Sequence, residues 1–434
     1  QLAAFGYEDV AGLARFEAFD LETLRMILEQ TGALASDVLL ACNRAGDEEG
    51  VKWDPATGAV TTARGFREAH RALAENGYYG LTADEAHGGG GAPYTLGTLV
   101  REILMSANKS LAMAPGLTGG LIEALEAHAT PELQAKYLPK LASGEWTGTM
   151  CLTEPHAGTD LGLLTTRATP NADGTYALTG TKIWITFGEH DLADNIIHLV
   201  LARLPDAPQG VKGISTFLVP KVLPDGTRNA IACSGLEHKM GIHGSPTCVM
   251  DLTGATGWLV GQPHRGMASM FTMMNAARLF VGVEGISLGE IAYQTALAFA
   301  KDRRQSRALD PRRSDPGAAA DNILVHPDVR RMLLNARSTT EAMRGLAVLV
   351  STNIDLAHHH PDEEARERAE DLVALLTPVV KAYCTERGFA NVSDAMQVCG
   401  GAGYTRDWSI EQYLRDMRIA LIYEGTNHIQ ALDL

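Results

Sequence analysis

Near its C-terminus the chain reads Gln397-Val-Cys-Gly400-Gly401-Ala-Gly403-Tyr404 and, a short way on, Leu414-Arg-Asp-Met-Arg-Ile-Ala-Leu-Ile-Tyr423-Glu424-Gly425-Thr426-Asn427. A glycine turn is thus followed by one carboxylate at the end of an apolar run. Glu424 comes straight after Ile419-Ala-Leu-Ile-Tyr423, where a carboxylate loses water and its pKa rises toward the range of a general base. Gly425 behind it frees the backbone for close approach to a ligand. On this stretch alone a second reading stays open, a helix-end carboxylate beside Gly-Thr-Asn.

Working outward, three textures follow one another. From residue 1 to about Trp146 the apolar spacing is helical, with Leu21, Leu24, Ile27 and Leu28, then Leu34, Val38 and Ala41, then Phe66, His70 and Leu73. The run Gly88-Gly-Gly-Gly91-Ala-Pro93 interrupts it as a loop; without G-x-G-x-x-G after a strand, a phosphate cradle is a weak reading. From about Thr147 to Gly261 the period drops to two, through Thr175–Gly180, Lys182–Thr186, Ile196–Leu201, Ile214–Val219 and Thr247–Asp251. An antiparallel sheet or barrel is expected there. After Pro263 the helical period returns over Met267–Asp302, His326–His358 and Asp362–Cys399. The expected fold is α+β, with an N-terminal helical domain (1–146), a central antiparallel β domain (147–262) and a C-terminal four-helix bundle (263–434).

Composition narrows the function. A net charge of −15 in 434 residues argues against a general polyanion-binding surface, so no nucleic-acid partner is expected. No run of about 18 apolar residues offers a membrane span, and none is expected. The six cysteines lack a C-x-x-C pair, which fits a reducing cytoplasm. His358-His359-His360 are adjacent, so they cannot converge on one ion as an i,i+4 pair does. No metal is expected. The missing initiator Met points to a trimmed sequence.

The order of motifs is more specific than any one of them. Cys151-Leu-Thr153-Glu-Pro-His-Ala-Gly-Thr159-Asp, Lys182-Ile-Trp184-Ile185-Thr186, Lys239-Met-Gly-Ile-His-Gly-Ser-Pro-Thr247, Asn275-Ala-Ala-Arg278, Arg303, Gln397-Val-Cys-Gly400-Gly401 and Tyr423-Glu424-Gly425-Thr426 run in series over nearly the whole chain. In sequence and order they resemble the acyl-CoA dehydrogenase superfamily.

That resemblance implies a noncovalent FAD cofactor and assigns expected roles. Met150, Leu152 and Thr153 would reach the polar edge of the flavin ring, with Trp184 against the ring and Ile185 and Thr186 bonding it. Thr159 would lie near the pyrophosphate and the bound substrate. Arg303 would reach the diphosphate of a neighbouring subunit's FAD, where a guanidinium fork suits the pairing. Gln397, Gly400 and Gly401 would close over the adenosine part from the partner, making the active unit a homodimer or larger. Thr426 and Asn427 complete the cofactor set. Asn275 and Arg278 would serve the CoA pantetheine and support the glutamate; Asn275 departs from the commoner Asp, and Ser306-Arg307 departs from the aromatic-glycine usual after Arg303.

The reaction so implied is α,β-dehydrogenation of an acyl-CoA to the trans-2-enoyl-CoA. Glu424 would remove the α-proton, hydride would pass to flavin N5, and the Glu424 N–H, ahead of Gly425 in the substrate-facing turn, would bond the thioester carbonyl. Electrons would leave to an electron-transfer flavoprotein. Residues Gly254–Arg278 and Ser106–Met113 look most like the bacterial branch that contains 3-methylmercaptopropionyl-CoA dehydrogenase, so a 3-methylmercaptopropionyl or a short or medium acyl chain is expected. A thioether and a methylene differ too little in an apolar pocket for the sequence to separate them. Members of that branch continue well past the glutamate, and truncation after Leu434 is expected. The rivals are an acyl-CoA oxidase and a nonenzymatic DNA-associated flavoprotein of the same fold.

Overall fold

Local chemistry sets the helix starts. Asp20 accepts from the Thr23 N–H at 2.8 Å, Thr130 caps the helix that opens with Pro131, and Asp362 accepts from the Glu364 N–H at 3.2 Å. Each side-chain oxygen satisfies a donor that the first turn leaves unpaired. The computed structural model describes residues 1–434. Its N-terminal helices are α1 (Tyr7–Ala11), α2 (Leu21–Leu34), α3 (Leu40–Glu49), α4 (Phe66–Glu75), α5 (Tyr94–His128) and α6 (Pro131–Ala142), with a small hairpin of β1 (Lys52–Trp53) and β2 (Val60–Thr61) between α3 and α4. The sheet strands are β3 (Trp146–Cys151), β4 (Arg167–Pro170), β5 (Tyr176–Thr186), β6 (Asn195–Arg203), β7 (Ile214–Pro220), β8 (Ile231–Leu236) and β9 (Thr247–Val260). Then come α7 (Gly266–Asp302), α8 (Pro327–His359), α9 (Glu363–Cys399), α10 (Ile410–Arg418) and α11 (Asn427–Asp433).

The sheet is mixed, which corrects the wholly antiparallel expectation. β3 runs parallel to β6, with Trp146 opposite Asn195 and Cys151 opposite Val200, and β4 meets β6 in parallel at Arg167 and Arg203. All other pairings are antiparallel. The long connection from β3 to β6 supplies the crossover a parallel pair needs. The path β6–β7–β9–β5–β4 returns to β6, so the sheet closes on itself, and Ala168, Leu178, Val200, Phe217, Val219, Cys248, Met250 and Ala255 pack as one core.

The chain packs as two compact units. Residues 18–97 and 110–277 form one; 1–17, 98–109 and 278–434 form the other. In the second, α7, α8, α9 and α10 share a core that includes Leu288, Ala292, Ala296, Leu333, Val392 and Met417. The glycine loop after Tyr79 is no phosphate cradle. The N–H groups of Gly89, Gly90 and Gly91 are already given to the carbonyls of Asp84, Gly80 and Ala83 at 3.0, 2.8 and 2.9 Å.

Three histidines are buried in the sheet-bearing unit. His198 sits 2.7 Å from the Thr149 hydroxyl, His190 2.9 Å from that of Thr147, and His70 2.6 Å from that of Tyr79. Burial, helped at His198 and His190 by the Lys221 charge, holds all three neutral: His198 is pushed down to about 3, His70 to about 4, and His190 well below the usual value. In the unfolded chain each would titrate near its ordinary pKa of ~6.5. As pH falls below that value the unfolded state takes up protons that the folded state refuses, and stability drops until the folded values are reached. At its steepest this costs ~1.4 kcal/mol per pH unit per histidine. The urea midpoint is therefore expected to fall clearly between pH 7.5 and pH 5; a flat midpoint over that range would show that these rings are not held neutral.

Candidate active site

The residues expected to carry the chemistry fall into two sets, one in each unit. In the sheet-bearing unit they lie where β3 and β5 end. Between Lys182 and Ile185 the register of β5 against β9 slips, since Lys182 faces Met250 while Ile185 faces Cys248. This bulge re-aims a side chain. Trp184 within it has φ +61 and Phe187 just beyond has φ +54, both in the left-handed region that non-glycine residues rarely occupy. The result is an indole that is 60% exposed beside buried Ile185 and Phe187.

The β3 end is pinned against this bulge. The Ile183 N–H donates to the Thr153 carbonyl at 2.9 Å, and Lys182 Nζ donates to the Leu152 carbonyl at 3.0 Å and to Glu154 Oε1 at 2.8 Å. Glu154 also accepts from Thr165 N and Oγ1 at 2.7 and 2.9 Å and from Thr166 N and Oγ1 at 3.0 and 2.6 Å. Burial pushes its carboxyl up, but the Lys182 charge and these donors outweigh it and hold the pKa at about 2. Leu152 is buried, while Met150, Thr153 and Thr186 are half-buried and Thr159 is exposed. The hydroxyls of Thr153 and Thr186 take no partner from the protein. An exposed indole, two free hydroxyls and a strand end fixed by a buried ion pair fit the face and polar edge of a flat heterocycle.

The second set surrounds Glu424. Glu424 has φ +55 and Gly425 φ +82, a left-handed conformation that favours glycine, and a Cβ at Gly425 would displace the Gln430 amide, whose Nε2 it would meet at 2.6 Å. Gln430 holds the bend by donating to the carbonyls of Glu424 and Gly425 at 3.0 and 3.2 Å. The half-buried Glu424 carboxylate takes no hydrogen bond from the chain. Desolvation pushes its pKa up to about 7 against the charges of Arg278 and Lys381, with Glu284 adding to the rise. That value suits a group that must accept a proton near neutral pH.

The other expected residues are placed unevenly. Arg278 is buried and pairs with Asp433 at 2.8 Å, whereas Asn275 is exposed on the same helix. Arg303, Gln397, Gly400 and Gly401 are exposed. The side chains of Arg303 and Gln397 make no bond within the chain and remain available. Thr426 and Asn427 are spent locally: the Thr426 hydroxyl caps α11 through Ile429 N at 3.3 Å, and Asn427 Oδ1 accepts from Lys381 Nζ at 3.0 Å and Thr385 Oγ1 at 3.1 Å. These bonds shape the turn after Glu424.

Sequence reading missed Lys109, Glu284, Lys381 and Gln430. Lys109 Nζ meets Glu284 Oε2 at 2.8 Å and the Asp416 carbonyl at 2.7 Å, and Tyr423 donates its hydroxyl to Glu284 Oε1 at 2.5 Å. One signal was available: Lys109 and Lys381 are single cations inside apolar helical stretches, Leu104–Met113 and Val379–Ala382.

Comparison with known proteins agrees with this arrangement. Models of the acyl-CoA dehydrogenase N-terminal, middle and C-terminal domains match residues 46–145, 149–255 and 264–434. A 3-methylmercaptopropionyl-CoA dehydrogenase of Ruegeria pomeroyi is 44% identical over 99% of this chain and 72% of its own length. A butyryl-CoA dehydrogenase of Syntrophomonas wolfei is 37% identical over 100% of this chain and 71% of its own. Among solved structures, an acyl-CoA dehydrogenase complexed with FAD from Bacillus anthracis is 25% identical with a TM-score of 0.78, covering 98% of this chain and 69% of that one. A butyryl-CoA dehydrogenase from Megasphaera elsdenii shares the fold, with a TM-score of 0.78 at 24% identity over 94% of this chain and 96% of that one. With family models over most of its length and a relative 44% identical across nearly all of it, the chain belongs to the FAD-dependent acyl-CoA dehydrogenase family.

Proposed function

We propose that Glu424 is the base that takes the α-proton of an acyl-CoA thioester, and that the physiological acyl group is 3-methylmercaptopropionyl or a short straight chain of similar size. The observation that carries the reading is the Glu424 carboxylate itself: half-buried, without a hydrogen-bond donor, raised to about 7, and fixed on a left-handed bend by Gln430. A base so held loses little to solvent reorganisation when it accepts the proton. Bound FAD supplies the two-electron acceptor that completes the dehydrogenation. Trp184, Thr153 and Thr186 would hold its ring, and Arg278 would lower the cost of negative charge near the thioester. The thioether reading rests on the 44% identical relative, whose name carries that substrate.

Free side chains at Arg303 and Gln397 favour a homodimer or larger assembly in which each serves a neighbour's FAD. An electron-transfer flavoprotein is the proposed acceptor. No helix is long and apolar enough to cross a membrane, and a cytoplasmic location is proposed.

The test is anaerobic mixing of FAD-loaded protein with a panel of acyl-CoAs while flavin bleaching is followed, on a preparation whose mass is set by light scattering. Bleaching by 3-methylmercaptopropionyl-CoA and butyryl-CoA, in a dimer or larger, is the expected result. No bleaching by any acyl-CoA would remove the proposal. Peroxide release on admitting air at a rate matching turnover would favour the oxidase instead.

A further inference from the structure

Four charged side chains surround the Glu424 turn, and their pairing is unequal. Arg278 is compensated by Asp433 at 2.8 Å. Glu284 and Lys109 compensate each other at 2.8 Å, with side chains only 3% and 1% exposed, and Tyr423 adds its hydroxyl to Glu284. Lys381 stands apart. Its side chain is fully buried, and its ammonium donates to a neutral amide oxygen, Asn427 Oδ1, that also accepts from Thr385. No carboxylate lies within ion-pair distance of it. Glu424 likewise has no ion-pair partner.

An unpaired buried ammonium is costly and is normally replaced or neutralised unless it acts on something nearby. The groups that act on Lys381 are Glu284, Glu424 and Arg278, and those that act on Glu424 are Arg278, Lys381 and Glu284. Glu386 touches this set through Asn427 Nδ2 at 3.2 Å, and Asp416 acts on Tyr423. α9 thus brings a bare positive charge to the base, while α7 brings a negative one that is masked by Lys109.

We propose that Lys381 and Glu284 are positioning residues that set the ionisation of Glu424 in opposite senses, Lys381 keeping the carboxylate charged and ready to accept a proton and Glu284 keeping it basic. Neither needs to touch substrate. This rests on Glu424 as the base, but its electrostatic content can be read independently. Lys381 is itself drawn down by burial to about 8 and held from falling further by Glu284 and Glu424, so it stays cationic through neutral pH.

The experiment titrates Glu424 in the FAD-loaded protein by pH-difference infrared spectroscopy with 13C-labelled Glu, its carboxyl band being the one absent from Glu424→Gln. In parallel, the pH dependence of flavin reduction by butyryl-CoA is recorded. Lys381→Met, which keeps length and loses charge, is expected to raise the Glu424 midpoint by about one pH unit or more. Lys381→Arg should restore it to within a few tenths. Glu284→Gln should lower the midpoint, because it removes a negative charge and unmasks Lys109. If Glu284→Gln does not fold, the contrast of Met with Arg at position 381 decides.

A midpoint that stays put or falls in Lys381→Met overturns the proposal, as does a rise that Arg fails to reverse. A merely structural role would disturb both charge variants in the same direction. Should Glu424→Gln keep its rate of flavin reduction, Glu424 is not the base, and the infrared midpoints still decide whether Lys381 and Glu284 tune it.

Discussion

Glu424→Gln is expected to leave FAD bound and the fold intact while the rate of flavin reduction by acyl-CoA collapses. Gln keeps the shape of the side chain, and the backbone bend depends on Gln430 bonding the Glu424 and Gly425 carbonyls rather than on the carboxylate. What is lost is the proposed proton acceptor. General-base contributions are typically ~10²–10⁴-fold, and the α-proton of a thioester is a demanding one, so a loss at or beyond the upper end is expected. Glu411 serves as the control. It is tied to Arg415 at 2.7 Å on α10, and Glu411→Gln should change the rate little. Stopped-flow reduction under anaerobic conditions reads both. If Glu424→Gln stays within about threefold of the parent, a change of only ~0.7 kcal/mol in the barrier, the base lies elsewhere.

The long helices could be read from the sequence because their apolar period persists for many turns. The stretch expected to begin at Asp362 does so, with Asp362 as the cap, and ends at Cys399. The β strands were legible where they are long and buried, as in Ile196–Leu201 and Ile214–Val219. β4 and β8 were not, since each shows few buried positions and owes its place to pairing with β5 or β9. Parallel pairing of β3 with β6 depends on contacts far apart in sequence, which no local pattern encodes. The same limit applies at the site. Tyr-Glu-Gly-Thr pointed to Glu424, but Ile-Trp-Ile-Thr reads as a straight strand, and only the folded chain turns Trp184 left-handed and outward. Glu284 looks like an ordinary helix charge until tertiary packing removes its water, and Lys109 and Lys381 stand out only as lone cations in apolar stretches.

The buried pair beneath the proposed flavin edge gives the largest expected effect on stability. Lys182 and Glu154 have side chains 0% and 2% exposed, so each charge relies on the other and on a few fixed donors. The two halves are not equally supported. Without Lys182, the Glu154 carboxylate would still accept four bonds from Thr165 and Thr166. Without the Glu154 charge, Lys182 would keep only neutral acceptors, the Leu152 carbonyl and the amide oxygen of the substituted side chain, and no countercharge. In Glu154→Gln, moreover, an amide NH₂ replaces one carboxylate oxygen and confronts the N–H or hydroxyl donors of a threonine. Removing one partner of a buried pair typically costs ~3–5 kcal/mol, a large part of the ~5–15 kcal/mol that holds a typical domain folded. Glu154→Gln is expected near the top of that span and Lys182→Met near its lower end, as differences in unfolding free energy from urea titration at pH 7. The double variant should recover part of the loss, because no orphaned charge remains. The parent should also show the pair's acid signature. Its Glu154 pKa is held below the unfolded value, so that contribution is present above pH ~4.5 and is lost as pH falls toward about 2; Glu154→Gln should lack this limb. Equal costs for the two single variants would mean that the threonine donors contribute nothing to holding the carboxylate, and that the strand end carrying Leu152 and Thr153 is fixed by the ion pair alone.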